Sequence, residues 1–170
     1  MTVLISLRTL CFLHTDTRVL LLHRRHPPNA GLWNGIGGKL NPGEDPYTAC
    51  IREVSEESGL RIDHPVLRAV LVISVKSTGD LWVLFTFAAP APPVEPVASE
   101  EGELRWIELD ALGTLPVLPD LPLLLPYLLS TKEVLTIRLD LKDEDASSMV
   151  RAEIVGPADQ AKVLFEQEGK

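Results

Sequence analysis

Residues 38–60 read GKLNPGEDPYTACIREVSEESGL, and the architecture of the chain is argued outward from this stretch. Asp45 is a preferred N-cap, Pro46 suits the first helical position, and neither Pro nor Gly recurs until Gly59, so a helix is predicted over residues 46–58. At 3.6 residues per turn Glu53, Glu56 and Glu57 stand at i, i+3 and i+4, which places three carboxylates on one helix face. In water such like-charge neighbours repel by about 0.2–0.5 kcal/mol per pair; drawn into a cleft they repel far more and demand a cation. Oxygen-only ligands select hard ions, and Mg²⁺ characteristically bridges one or two protein carboxylates to substrate phosphates, with Mn²⁺ able to substitute. A bare ExxEE on an arbitrary helix reads as a solvated acidic face. The residues around it decide otherwise below.

Upstream, residues 3–13 and 18–23 are β-favouring runs on either side of His14-Thr15-Asp16-Thr17, which predicts a hairpin. Two prolines in residues 26–31 (HPPNAG) then enforce a loop. Downstream, residues 65–77 and 81–88 flank Thr78-Gly79-Asp80 as a second hairpin, and four prolines within residues 89–96 make an extended connection. A short strand is expected over 104–109, a helix over 121–130 with a kink at Pro126, and a last β pair over 133–141 and 148–155 around KDEDAS. The segment 156–170 reads as a C-terminal tail, either a short helix or partly disordered.

Composition narrows the function classes. The chain has 170 residues, enough for one domain with a substantial core, and ordinary globular usage with 45% hydrophobic and 24% charged residues. Twenty-four acidic against 16 basic residues give a net charge of −8, which repels a nucleic-acid polymer but permits a phosphorylated small molecule bound through a metal ion. Cys11 and Cys50 have no partner at metal-ligand spacing and read as buried free thiols. The first residues lack a signal-peptide pattern and no apolar run reaches the ~18 residues of a membrane span, so no membrane association and a cytoplasmic location are the default expectations. Oligomeric state is not legible.

The spacing G-x5-E-x7-R-E-U-x-E-E-x-G-U, with U a bulky aliphatic residue, is met by Gly38, Glu44, Arg52, Glu53, Val54, Glu56, Glu57, Gly59 and Leu60. With nine specified positions in 23 residues satisfied, the stretch resembles the box of the Nudix hydrolases. The resemblance implies an α/β fold, an α/β/α sandwich with a mixed central sheet over residues 1–155, carrying the box helix on one face and the 121–130 helix on the other. It implies a metal-dependent enzyme in which activated water cleaves a phosphoanhydride bond of a small-molecule nucleotide. Glu53, Glu56 and Glu57 then look like catalytic residues and metal ligands, joined by the Gly38 carbonyl and by Glu101 from the Ser99-Glu100-Glu101 turn. Arg52 and Glu44 look like a brace between loop and helix.

Further out, Leu32-Trp33-Asn34-Gly35-Ile36-Gly37-Gly38-Lys39 is similar to the branch of the family that hydrolyses oxidised purine nucleoside triphosphates (8-oxo-dGTP diphosphatases). That similarity implies a base-binding role for Asn34, although Asn also simply shapes turns. Asp120 matches an acid of the same branch, whereas Leu118 and Leu121 stand where the branch has tryptophan and a second acid. Trp33 reads as a packing residue. Arg24, with the exposed-strand alternatives Arg25, His23 and His26 beside it, is the candidate for holding phosphate. The expected reaction is a nucleoside triphosphate, with a purine base, oxidised or not, going to monophosphate plus pyrophosphate. A hydrolase preferring nucleoside diphosphates or pyrimidine nucleotides, and a non-catalytic nucleotide-binding regulator, are the rival readings.

Overall fold

The computed structural model describes residues 2–167. The strands are β1 (Ile5–His14), β2 (Arg18–Arg24), β3 (Trp33–Asn34), β4 (Val66–Val75), β5 (Asp80–Pro90), β6 (Gly102–Glu108), β7 (Leu135–Leu141), β8 (Met149–Gly156) and β9 (Lys162–Glu166); the helices are α1 (Pro46–Ser58) and α2 (Leu121–Ser130). One mixed sheet runs β3-β2-β1-β5-β4-β7-β8-β9, with β6 added alongside β2. The β1/β5 and β4/β7 pairs are parallel and the remaining strand pairs antiparallel.

Alternation along the strands divides the core in two. Cys11 and Leu13 of β1, Leu20 of β2 and Phe87 of β5 pack with Cys50 and Val54 of α1. Phe12, Val19, Leu71, Ile137 and Leu139 project the other way and pack with Leu121, Leu124, Leu125 and Leu128 of α2. The chain is therefore an α/β/α sandwich, as the box resemblance implied. Burying a Val or Leu side chain contributes roughly 1.5–3 kcal/mol, so these two apolar faces hold α1 and α2 to the sheet. Both cysteines are free and buried, and the Cys11 thiol is pushed up by hydrogen bonding to Cys50 and by burial.

Helix α1 starts and stops where its sequence signals lie. Asp45 accepts from the Thr48 amide at 2.9 Å and from its hydroxyl at 2.7 Å, Pro46 occupies the first turn, and Gly59 closes the helix at φ 68° with its amide on the Ser55 carbonyl. Helix α2 spans the predicted residues 121–130, with Pro126 inside it.

One expectation needs correction. The predicted first hairpin is a corner: β1 and β2 pair only at His14↔Val19 and then diverge, because β2 finds β6 while β1 runs parallel to β5. Into the gap comes the segment after Asn34, bridged to β1 at Cys11↔Ile36 and Arg8↔Lys39. It lies so close that a Cβ on Gly37 would stand 2.0 Å from the Thr9 carbonyl oxygen. In the tail 156–170, residues 158–160 form one short 3-10 turn, and residues 162–166, which were not expected to be a strand, form β9, paired antiparallel to β8. The pairing satisfies backbone groups that β8 would otherwise leave open. Residues 168–170 lie outside the described residues. No helix among the described residues is long and apolar enough to cross a membrane.

Candidate active site

The wedge between β1 and β2 brings the glycine-rich segment against the acidic face of α1. Arg52 organises that face. Its Nε and Nη2 donate to the two oxygens of Glu44 at 2.8 Å each, its Nη1 reaches Glu53 at 2.8 Å and Glu56 at 3.1 Å, and Nη2 also donates to the Lys39 carbonyl at 3.2 Å. This bidentate fork is the brace between loop and helix that the resemblance to the Nudix box implied. Arg52 and, second, the Asn41 amide pull the Glu44 carboxyl down to about 2, so it stays ionised and holds the guanidinium.

The three glutamates have unequal surroundings. Glu56 is exposed, Glu53 half-buried, and Glu57 buried at 6% exposure. Burial raises the Glu53 carboxyl despite Arg52. Glu57 is pushed up to about 8, first by desolvation and then by the charge of Glu53, with Glu101 adding to the effect; the Gly37 amide, donating to Glu57 at 3.2 Å, and Arg24 oppose it. Glu53, Glu56, Glu57, Ser99, Glu100 and Glu101 line one open cleft of about 300 Å³. Sequence reasoning placed Glu101 here and left out Glu100, which lines the same cleft.

The Gly38 carbonyl has a protein partner on one of its two lone pairs. It accepts the Thr9 amide at 2.9 Å and is turned toward β1. Gly38 also supplies room: a Cβ there would stand 2.4 Å from Glu53 Oε1 and 2.8 Å from Oε2. Among the described residues no three His, Cys, Asp or Glu side chains are already gathered into an ion cage. Glu53 and Glu56 are held by Arg52, and Glu57 by Gly37. The donor set nonetheless fits a hard divalent cation. It is oxygen-only, and its buried member is destabilised as an anion by burial and by neighbouring acids, a penalty that a cation in the cleft relieves.

A second cavity, of about 100 Å³, opens on the α2 side of the sheet, beside the residues that lead into the start of that helix. Its floor is apolar, with Leu10, Leu84, Ile73 and Leu139 among the side chains, and its polar groups are Arg8, Arg24, Asn29, Asn34 and Asp120. The sequence-predicted Arg24, Asn34 and Asp120 thus meet in one place, although they come from β2, β3 and the residue before α2. Asp120 is half-buried, and desolvation pushes its carboxyl up to about 6. Arg24 is half-buried with Nε donating to the Pro28 carbonyl at 3.0 Å, while Arg25 and His26 are exposed. Leu118 is buried in the wall. Trp33 packs in the core, stacked on His23 at 4.7 Å with the Arg105 guanidinium 5.1 Å from its ring. Arg8, Asn29 and Trp82 were not anticipated. Arg8 carried a readable signal, since it is the one Arg, Lys, Asp or Glu within the apolar run 3–13.

Residues 6–128 match the NUDIX domain family. The chain belongs to the Nudix family. The uncharacterised Nudix hydrolase YvcI of Bacillus subtilis (strain 168) is 37% identical over 115 residues, covering 65% of this chain and 71% of that protein. The oxidized purine nucleoside triphosphate hydrolase of Mus musculus is 36% identical over 129 residues, covering 75% of this chain and 81% of that one. Among solved structures, the mutator MutT protein of Bacillus halodurans superposes with a TM-score of 0.70 at 28% identity, over 80% of this chain and 90% of its own. As a Nudix hydrolase the chain is an enzyme of a family in which dependence on divalent metal is general and small nucleotides are the substrates. The Nudix match ends at residue 128, so β7, β8 and β9 lie beyond it.

Proposed function

We propose that this Nudix hydrolase converts a nucleoside triphosphate, with a purine as the favoured base, to the monophosphate and pyrophosphate. The observation that carries the reading is the placement of two unlike sites side by side. One is an apolar cavity with Asn34 and Asp120 in its wall; the other is the acidic cleft of Glu53, Glu56, Glu57 and Glu101. Arg24 joins them, lining the first and acting electrostatically on Glu57 in the second. A nucleotide with its base in the cavity therefore lays its phosphates past Arg24 toward the glutamates.

A divalent cation, Mg²⁺ with Mn²⁺ as substitute, held by Glu53, Glu56, Glu57 and Glu101, would neutralise phosphate charge and acidify a water molecule. Glu57, the most buried of the three helix glutamates, is our candidate to accept the proton of the attacking water once a cation in the cleft relieves the desolvation and the repulsion from Glu53 that hold it protonated without metal. Arg52 positions Glu53 and Glu56 and keeps the loop closed on the helix. The Asn34 amide offers both a donor and an acceptor to a base edge, and Asp120 adds a carboxyl. No covalent nucleophile is needed: Cys50 is buried in the core, and the Ser58 hydroxyl donates to the Val54 carbonyl.

The test is a nucleotide panel with 8-oxo-dGTP, dGTP, CTP, CDP, ADP-ribose and diadenosine polyphosphates, run with Mg²⁺ and with Mn²⁺, beside the variant Glu56→Gln. Glu56 is exposed, so its replacement should abolish metal-dependent turnover while leaving the melting temperature in place. If the wild type cleaves none of these compounds, as read by separation of the nucleotide products, the catalytic reading is wrong.

A further inference from the structure

We infer that Arg8, laid against the Trp82 indole, forms with Arg24 a two-arginine anion seat that takes a phosphate group of the substrate at the rim of the cavity, where Arg8 also lines the adjoining outer cleft. The inference rests on the proposed nucleotide site and adds a residue outside the box. Arg8 and Trp82 face the same side of the sheet: β1 and β5 run parallel with Ser6 opposite Trp82 and Arg8 opposite Leu84, so Arg8 reaches diagonally over the ring, 5.1 Å from its centroid. A guanidinium stacked in this way is flat and pre-oriented, and its donors remain at the rim.

The cavity leaves those donors under-used. Arg8 Nε donates to the Ser6 hydroxyl at 3.1 Å and Arg24 Nε to the Pro28 carbonyl at 3.0 Å. Among the described residues neither arginine has a carboxylate within 4.0 Å, although the chain carries 24 acidic residues against 16 basic ones. Asp120 shares the cavity but makes no ion pair within 4.0 Å with either arginine among the described residues, and desolvation raises its carboxyl to about 6; the other nearby acids are engaged or distant. Asp80 and Glu144 line an outer cleft with Arg8, but Asp80 Oδ1 accepts the Leu4 amide at 3.0 Å, and Glu144 acts on Arg8 only at longer range. The two guanidiniums are near enough that Arg24 acts against the charge of Arg8, which is also partly desolvated. Two half-buried like charges sharing one small cavity are stabilised by an anion between them, and a phosphate matches the planar fork of each.

The probe is inorganic pyrophosphate, titrated in EDTA so that the acidic cleft takes no part, and read by tryptophan fluorescence and by calorimetry. Wild-type protein should bind it, with Trp82 fluorescence changing on binding. Arg8→Ala and Arg8→Gln, the latter keeping most of the stem, should each weaken binding at least tenfold. Arg8→Lys should recover part of the loss and Trp82→Leu should lose about as much as R8A. Under turnover with the best nucleotide of the panel, R8A should raise KM at least tenfold with kcat changed less than threefold. Pyrophosphate binding within twofold of wild type in both R8A and R8Q overturns the seat. Because the binding arm needs no catalysis, a wild type that hydrolyses nothing but loses pyrophosphate on R8A refutes the proposed reaction and leaves the seat standing.

Discussion

Glu57→Gln should make the metal-free protein more stable while destroying its activity. The native Glu57 carboxyl is pushed from 4.5 up to about 8, mainly by desolvation and then by Glu53. Its raised value means that the folded state holds the proton more tightly than the unfolded chain. The stability it contributes is therefore full below pH ~4.5 and is lost as pH rises toward about 8. At pH 7 the unfolded carboxyl is ionised and the folded one mostly protonated, which costs the native state about 3 kcal/mol. Glutamine removes the titration yet keeps a carbonyl to accept the Gly37 amide, which donates to Glu57 at 3.2 Å. Urea melts in EDTA should show the variant gaining about 3 kcal/mol at pH 7, roughly 6–12 °C in Tm, with the gain shrinking to nothing near pH 4.5. Adding Mg²⁺ should stabilise the wild type more than the variant, closing the gap. Wild-type and variant stabilities that run parallel from pH 4.5 to 8 would refute the argument that Glu57 is electrostatically strained without a cation.

Gly38→Ala should reduce metal-dependent turnover at least tenfold and weaken Mg²⁺ activation, because the new Cβ would lie 2.4 Å from Glu53 Oε1 and must displace that carboxylate; a Mg²⁺ titration of rate measures it. Arg52→Ala should lower Tm by a few degrees as well as metal affinity, since one guanidinium serves Glu44, Glu53 and Glu56. Arg52→Lys keeps the charge without the fork and should restore Tm only in part, as followed by thermal melts and Mg²⁺ titration. Asp120, raised to about 6 by desolvation, is neutral below that pH and an acceptor-only carboxylate above it. KM for a guanine nucleotide, whose base edge presents N–H donors, should fall as pH rises through about 6, and Asp120→Asn should flatten that dependence.

Much of the catalytic face could be read along the chain because its determinants are local. Asp45, Pro46 and Gly59 mark both ends of α1, and helical periodicity alone aligns Glu53, Glu56 and Glu57. The opening corner was misread for the opposite reason. The runs 3–13 and 18–23 have the composition of a hairpin, but whether two strands stay paired depends on what competes for each edge, here β5 and β6. The strand in the tail was missed similarly: Lys162–Glu166 is too short to announce itself, and β8 supplies the template. The partner that the Gly38 carbonyl has in the protein was not legible either, since the orientation of a carbonyl is set by the strand beside it, and here the Thr9 amide donates to it.

By itself the amino-acid sequence determined that the chain has an acidic, capped helix within a Nudix box, and hence the family and its chemistry, because those signals lie within 23 contiguous residues. Tertiary structure decided how unequal the three glutamates are, since it buries Glu57, whose carboxyl desolvation pushes up to about 8, and leaves Glu56 exposed on the same helix face. It also decided the second site. Arg8, Arg24, Asn34, Trp82 and Asp120 are scattered over more than a hundred residues, and only the crossing of β1, β2, β3 and β5 with the start of α2 puts them around one cavity. Long-range convergence of this kind leaves no periodic trace, because no local interaction enforces it.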